Sequence, residues 1–184
     1  MKKIIAQAAI CLPLLFCICT KVNAQALTSE DIKAQLVKDW ERAKAYTIDY
    51  LNAMPANKYT FKATDSVRSF AQQMLHLAGG NVGLMMAGTD QKPTFNMARD
   101  AEKSATAWSK DSVMYYVTNS YDYCISAVKA TDVNKWGEKK KFGPGEETRF
   151  SLITKTFEHQ THHRGQTTIY IRLVGVRPPN ERLF

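Results

Sequence analysis

The stretch "FEHQTHHRGQTTIYIRL", residues 157–173, places three of the chain's four histidines and an arginine within six positions and runs on into an apolar segment. Successive side chains on an α-helix turn by about 100°, so residues four apart stand only about 40° out of line and share a face. His159 and His163 are such a pair. Leu152 and Thr156 extend the same line on one side and Gln166, Tyr170 and Leu173 on the other, which predicts that both imidazoles point into the protein interior. His162 lies about 100° away from His163, at an edge of the helix or against a neighbour. Ring nitrogens buried without partners cost roughly 1–3 kcal/mol each. A divalent metal satisfies them, and an i, i+4 histidine pair is the spacing that zinc-binding helices use.

Two ligands do not make a stable site, so the rest of the chain must supply more. Thr148 caps the helix that carries the pair, and Gly175 followed by Pro178-Pro179 stops it. Upstream, Thr28-Ser29-Glu30-Asp31 opens a first helix with apolar residues at Ile32, Leu36, Trp40, Ala43, Tyr46 or Thr47, Tyr50 and Leu51, ended by Met54-Pro55. A second helix is expected from an Asp65 or Ser66 cap to about Ala87, with Val67, Phe70, Met74, Leu77 and Leu84 on one face and Leu75, Ala78, Val82 and Met85 on another. Apolar nearly all round, it belongs inside a bundle. The fourth histidine, His76, sits in its middle, and Gly80 and Gly83 follow on roughly the same side. Each glycine costs about 1 kcal/mol relative to alanine, a cost consistent with space being kept beside His76. A third helix is expected from about Thr106 to Lys129.

No convincing strand is legible, and the lysine run at 135–143 reads as a solvated loop. The fold expected is all-α, a four-helix bundle with a long crossover through residues 88–106 between helices two and three. His76 is then either a hydrogen-bonded core histidine or the third ligand beside His159 and His163. Three imidazoles from two helices plus water describe a catalytic type of metal site with an open position. Cys124, on the inner side of helix three, is a possible fourth ligand, though a lone buried cysteine is chiefly core packing.

The first residues stand apart. Lys2 and Lys3 precede an apolar run, and Val22-Asn23-Ala24 has the small residues that a signal peptidase reads, so residues 1–24 are expected to be a secretory signal and 25–184 one domain. Pro13 breaks the run, which falls short of the roughly 20 apolar residues needed to span a membrane. Neither Cys17 nor Cys19 follows a small residue of the lipoprotein kind. Cleavage after Ala24 removes Cys11, Cys17 and Cys19, leaving Cys124 as the only thiol and no intramolecular disulfide. It also removes Lys2, Lys3 and Lys21, so 22 basic residues face 17 acidic ones, a balance of +5. That mild, scattered charge lacks the basic clusters and interleaved aromatics of a nucleic-acid binder. The expected destination is the periplasm, with no stable membrane insertion after cleavage.

"EHQTHHRGQTTIYIRLVGVRPP" at 158–179, with its His-x-x-x-His-Arg-Gly-Gln core, resembles the C-terminal signature of the DinB/YfiT-like family of metal-binding four-helix bundles. "KYTFKATDSVRSFAQQMLHLAGGN" at 58–81 is similar to that family's second-helix region, including its single histidine, and "FGPGEETRFSLITKTF" to the lead into its last helix. The resemblance covers essentially the whole chain after the leader. It implies metal ligands at His76, His159 and His163, zinc or nickel as the ion, a crossover between the second and third helices, and pairing as a homodimer. Some members are thiol S-transferases and others are described as hydrolases; export sets this chain apart from the cytoplasmic transferases.

The expected activity is metal-dependent hydrolysis of a small-molecule substrate by metal-bound water. Gln166 would orient substrate or water and Tyr170 would close the pocket. The helical phase of Arg164 favours a salt bridge at the bundle surface over a role on an anionic transition state, and Glu158 precedes the first ligand rather than lying between the two, which speaks against a general base. A non-catalytic metal- or ligand-binding protein and a metal-dependent thiol S-transferase are the alternatives.

Overall fold

The computed structural model describes residues 26–97 and 100–184; the expected signal segment lies outside them. Four long helices make up the bundle: α1 (Ser29–Ala53), α2 (Phe70–Thr89), α3 (Lys110–Ala130) and α4 (Arg149–Leu173). A hairpin of β1 (Lys139–Phe142) and β2 (Gly145–Thr148) leads into α4. Among the described residues no helix is long and apolar enough to cross a membrane.

Side-chain hydrogen bonds give the direction of each helix. Thr47 meets Tyr121, and Lys129 meets Glu41, so α1 and α3 run antiparallel. Tyr50 reaches Thr168 while Trp40 packs on Phe157, which makes α1 and α4 parallel. Asn81 donates to Ser120, and Tyr123 donates to the carbonyl of Gln91 just past the end of α2, so α2 and α3 are parallel neighbours. A chain leaving the end of α2 must therefore return along the bundle to begin α3 in the same direction. The connection between Thr89 and Lys110 does this, carrying short 3-10 turns at Ala101–Lys103 and Ala105–Ala107. The long crossover expected from the sequence is present.

Two helix starts differ from expectation. α2 begins at Phe70, not after Asp65 or Ser66, because Ser69 and Gln72 form a reciprocal capping box: the Gln72 amide donates to Ser69 Oγ at 3.3 Å and the Ser69 amide to Gln72 Oε1 at 2.9 Å. The next two amides donate to linker carbonyls, Phe70 to Phe61 and Ala71 to Tyr59, so the linker is tied to the helix it precedes. Val67 is consequently exposed rather than on the buried face. α3 begins at Lys110 with Ser109 as cap, since residues 105–107 close a 3-10 turn instead of an α-turn.

The lysine run is not a plain loop. Lys141 pairs with Glu146 and Lys140 with Glu147 across the hairpin, and Gly143 supplies the positive φ of +59° at the first turn position. Lysine is a weak strand former, which hides this hairpin from the sequence. It is pinned by ions: Lys140 and Arg149 both bind Asp90, and Arg149 also binds Glu138.

Trp40 sits at the centre of the core with no exposed surface, its ring edge-on to Tyr121 at 5.6 Å and to Phe157 at 5.3 Å, so one side chain joins α1, α3 and α4. Trp40→Ala is expected to cost about 3–5 kcal/mol, to be measured by chemical denaturation of the folded domain.

Candidate metal centre

α2 and α4 cross closely where α4 carries its histidines. The cause is Gly80: a Cβ at that position would stand 2.0 Å from Cε1 and 2.4 Å from Nδ1 of His159. The His159 imidazole therefore lies against bare α2 backbone. Gly83 is exposed and meets nothing within 4 Å, so only the first of the two glycines makes room, and it does so for His159 rather than for His76.

Across this gap His76, His159 and His163 converge, with one ring nitrogen from each lying within 4.8 Å of the others. Ring centroids are 4.4 Å apart for His159 and His163, 4.6 Å for His76 and His163, and 5.3 Å for His76 and His159. The i, i+4 pair on α4 thus faces the single histidine of α2, the arrangement expected from the sequence. His162 is exposed and stays outside the trio, its ring turned edge-on to His163.

Two of the three rings have a hydrogen-bonded nitrogen. His76 Nδ1 donates to Glu102 Oε2 at 2.8 Å. His163 Nδ1 is bracketed by Gln73 Nε2 at 2.8 Å and Gln166 Oε1 at 3.2 Å, and the two amides also bond to each other. Each tautomer of this ring finds one partner: a protonated Nδ1 donates to Gln166, and an unprotonated Nδ1 accepts from Gln73. His159 Nδ1 is buried with no hydrogen-bond partner. An orphaned imidazole nitrogen beside two other rings is the feature that a cation would satisfy.

Electrostatics keep the rings ready to donate electron pairs. Burial, then the neighbouring His76, His162 and Arg68, push the pKa of His159 down to about 4. Burial and the adjacent histidines do the same to His163, also to about 4, against the opposing hydrogen bond to Gln166. Both are neutral at pH 7. Glu102 is charged beside them: burial opposes its ionisation, but hydrogen bonds from Arg68 and His76 outweigh burial and hold its carboxyl below the ordinary range.

A cavity of about 670 Å³ opens beside the trio, with His163, His162, Gln166 and Arg68 on its polar side and Val67 and Ile169 on its apolar side. Gln166 is thus at the cavity and against the His163 ring. Tyr170 also lines the cavity, but its hydroxyl donates to the Arg68 carbonyl at 2.8 Å, so it holds the linker in place. Leu173, at the end of the same predicted stripe, is exposed, because α4 ends there and passes beyond its neighbours.

Arg164 differs from expectation. It is 7% exposed, not at the surface, and pairs with no carboxylate among the described residues; its guanidinium donates to Gln160 Oε1 at 3.1 Å and lies 4.6 Å from the Tyr46 ring centroid. Facing α1, it takes no part in the histidine centre. Glu158 is exposed. Cys124 is buried in contact with the Asn81 carbonyl, its thiol pKa pushed up by burial, and acts as packing. Glu102 and Gln73 escaped the sequence analysis. Glu102 reaches His76 from 26 positions away along the crossover, a distance at which no periodicity connects residues, whereas Gln73, one turn before His76 on the same helix face, was open to a search for polar residues beside a ligand.

The family model for DinB matches residues 21–182, nearly the whole chain. The chain belongs to the DinB family. Among solved structures, a DinB-like protein from Bacillus cereus superposes with a TM-score of 0.69 at 14% identity, over 80% of this chain and 96% of that one, a likeness that shows the shared fold. No curated protein matches the chain. In this DinB-family bundle, the resemblance carried by two sequence segments corresponds to two helices in contact, α2 and α4.

Two outcomes follow from the geometry. Gly83→Ala is expected to stabilise the protein by up to about 1 kcal/mol, whereas Gly80→Ala should lose that gain and displace the His159 ring, seen as a shift of its ring resonances by NMR. The unfolded chain takes up protons on His159 and His163 near pH 6.5 while the folded chain resists until about pH 4. Folding stability of the metal-free protein should thus be complete above about pH 6.5 and decline as pH falls from there towards 4, measured by denaturation at a series of pH values.

Proposed function

We propose that this DinB-family protein holds one divalent transition metal, zinc or nickel, on His76, His159 and His163 and uses it to hydrolyse a small-molecule substrate in the periplasm. The observation that carries the reading is the unpartnered, buried Nδ1 of His159 among three imidazoles whose ligand atoms lie within 4.8 Å of one another. Three imidazoles with a cavity alongside are the donor set of catalytic zinc sites, which keep one position open. When bound, such an ion supplies Lewis acidity, polarising a carbonyl or phosphoryl oxygen and lowering the pKa of a water to about 7.

The chain's own residues hold and surround that chemistry. Gln73 and Gln166 fix the His163 ring, as Glu102 fixes His76. Val67 and Ile169 offer an apolar wall to the body of a substrate, and His162 and Gln166 offer hydrogen bonds in the same cavity, where the charge of Arg68 is already paired with Glu102. Tyr170 keeps the Arg68 backbone in place. The basic, apolar and small-residue order of residues 2–24 supports export.

Protein recovered from the periplasmic fraction of expressing cells should begin at Gln25 and carry one metal per chain. His76→Ala, His159→Ala and His163→Ala should each lose it, and His162→Ala should keep it, by elemental analysis. Unchanged stoichiometry in all three ligand variants would sink the site. The loaded protein should turn over esters or amides; inactivity on these and on thiol-plus-electrophile pairs would point to metal or ligand binding without catalysis.

A further inference from the structure

Glu102 sits in the 3-10 turn Ala101–Lys103 of the crossover, and all three of its oxygen atoms accept hydrogen bonds. Oε2 accepts from His76 Nδ1 at 2.8 Å, Oε1 accepts from Arg68 Nε at 2.6 Å, and its carbonyl accepts from Trp108 Nε1 at 3.0 Å. Its neighbour Ala101 is buried, which anchors the turn against the bundle. The side chain is 29% exposed and stands between two cavities, the one of about 670 Å³ beside His163 and another of about 390 Å³ beside Gly79 and Gly80.

We propose that Glu102 is a positioning residue of the metal centre: by accepting the Nδ1 proton of His76 it fixes the tautomer and orientation of that ring and leaves Nε2 for the ion. This rests on the metal-centre reading above. A histidine ring without an outer partner turns about its side-chain bonds and exchanges tautomers, and only one tautomer presents a lone pair at Nε2. His159 is held by α2 backbone and His163 by two amides, but His76 is one-third exposed and has no other bond among those described. Arg68, from the linker before α2, grips the second carboxylate oxygen and prevents Glu102 from swinging into either cavity. The crossover and the linker thereby form an outer tier for a centre whose ligands come from helices alone.

Zinc affinity is to be measured by chelator competition for the wild-type protein, Glu102→Ala, Glu102→Gln, His76→Ala, His159→Ala and His163→Ala. Loss of a carboxylate behind a metal-ligating histidine weakens binding by about 10–100-fold, so Glu102→Ala should bind one zinc with a Kd raised in that range. Glu102→Gln, whose amide oxygen accepts the same proton, should recover most of the loss. A Glu102→Ala protein that binds zinc as tightly as wild type while His76→Ala does not would overturn the positioning role and leave the centre standing; three histidine variants that all bind like wild type would overturn the centre and this role with it. Nitrogen-15 NMR of the metal-free wild-type protein at pH 7.5 checks the same point without a variant. The His76 proton should reside on Nδ1, and a proton on Nε2 would overturn the proposal even if Glu102→Ala fails to fold.

Discussion

The approach of α2 to α4 at Gly80 is the constraint on which the rest of the site depends. His159 occupies the volume that any side chain at position 80 would fill, within 2.0 Å of an added Cβ. A helix interior tolerates glycine poorly, by about 1 kcal/mol relative to alanine, so its presence here exchanges helix stability for a place where an imidazole can lie against backbone. Once that contact exists, the helical repeat carries His163 one turn along to meet His76, and three rings share one space.

Around the rings the molecule places polar partners from elements of different kinds. Gln73 and Gln166 come from the two helices that carry the histidines, whereas Glu102 comes from the crossover and Arg68 from the linker before α2. The helices determine where imidazoles can be; the irregular segments determine which way one of them faces. This division agrees with the general tendency of loops to bear specific contacts on a rigid scaffold. It also gives the long crossover two purposes, since parallel α2 and α3 require a return path and that path delivers a carboxylate to His76.

A second polar seam lies on an adjacent face of α4, about 100° round from the histidine pair. Tyr121 and Arg164 both donate to Gln160 Oε1, Thr47 bonds to Tyr121, and the Arg164 guanidinium lies against Tyr46. These groups join α1, α3 and α4 through satisfied hydrogen bonds in the core, where a mismatch would be costly. The Arg-Gly-Gln portion of the motif therefore serves two faces: Arg164 locks α4 to α1, and Gln166 supports the His163 ring.

The sequence by itself determined the four helices, their caps at Thr28 and Thr148, the stop at Gly175, the crossover, and the meeting of His76 with His159 and His163, because each follows from local periodicity, capping chemistry or a family motif that local residues carry. It misplaced the start of α2, where the Ser69–Gln72 box and the linker carbonyls outcompete an earlier cap, and it read the hairpin of residues 139–148 as loop, since a run of lysines and glutamates carries no strand pattern and the ion pair that holds Lys140 comes from Asp90, far away in the sequence. It sent Arg164 to the surface because helical phase is measured against one neighbour, and α4 has two. Only the tertiary structure decided that Gly80 serves His159, that Arg164 is buried, and that Glu102 stands behind His76. Each of these joins residues on separate elements, and the free energy of such contacts depends on distances that exist only after the chain has folded.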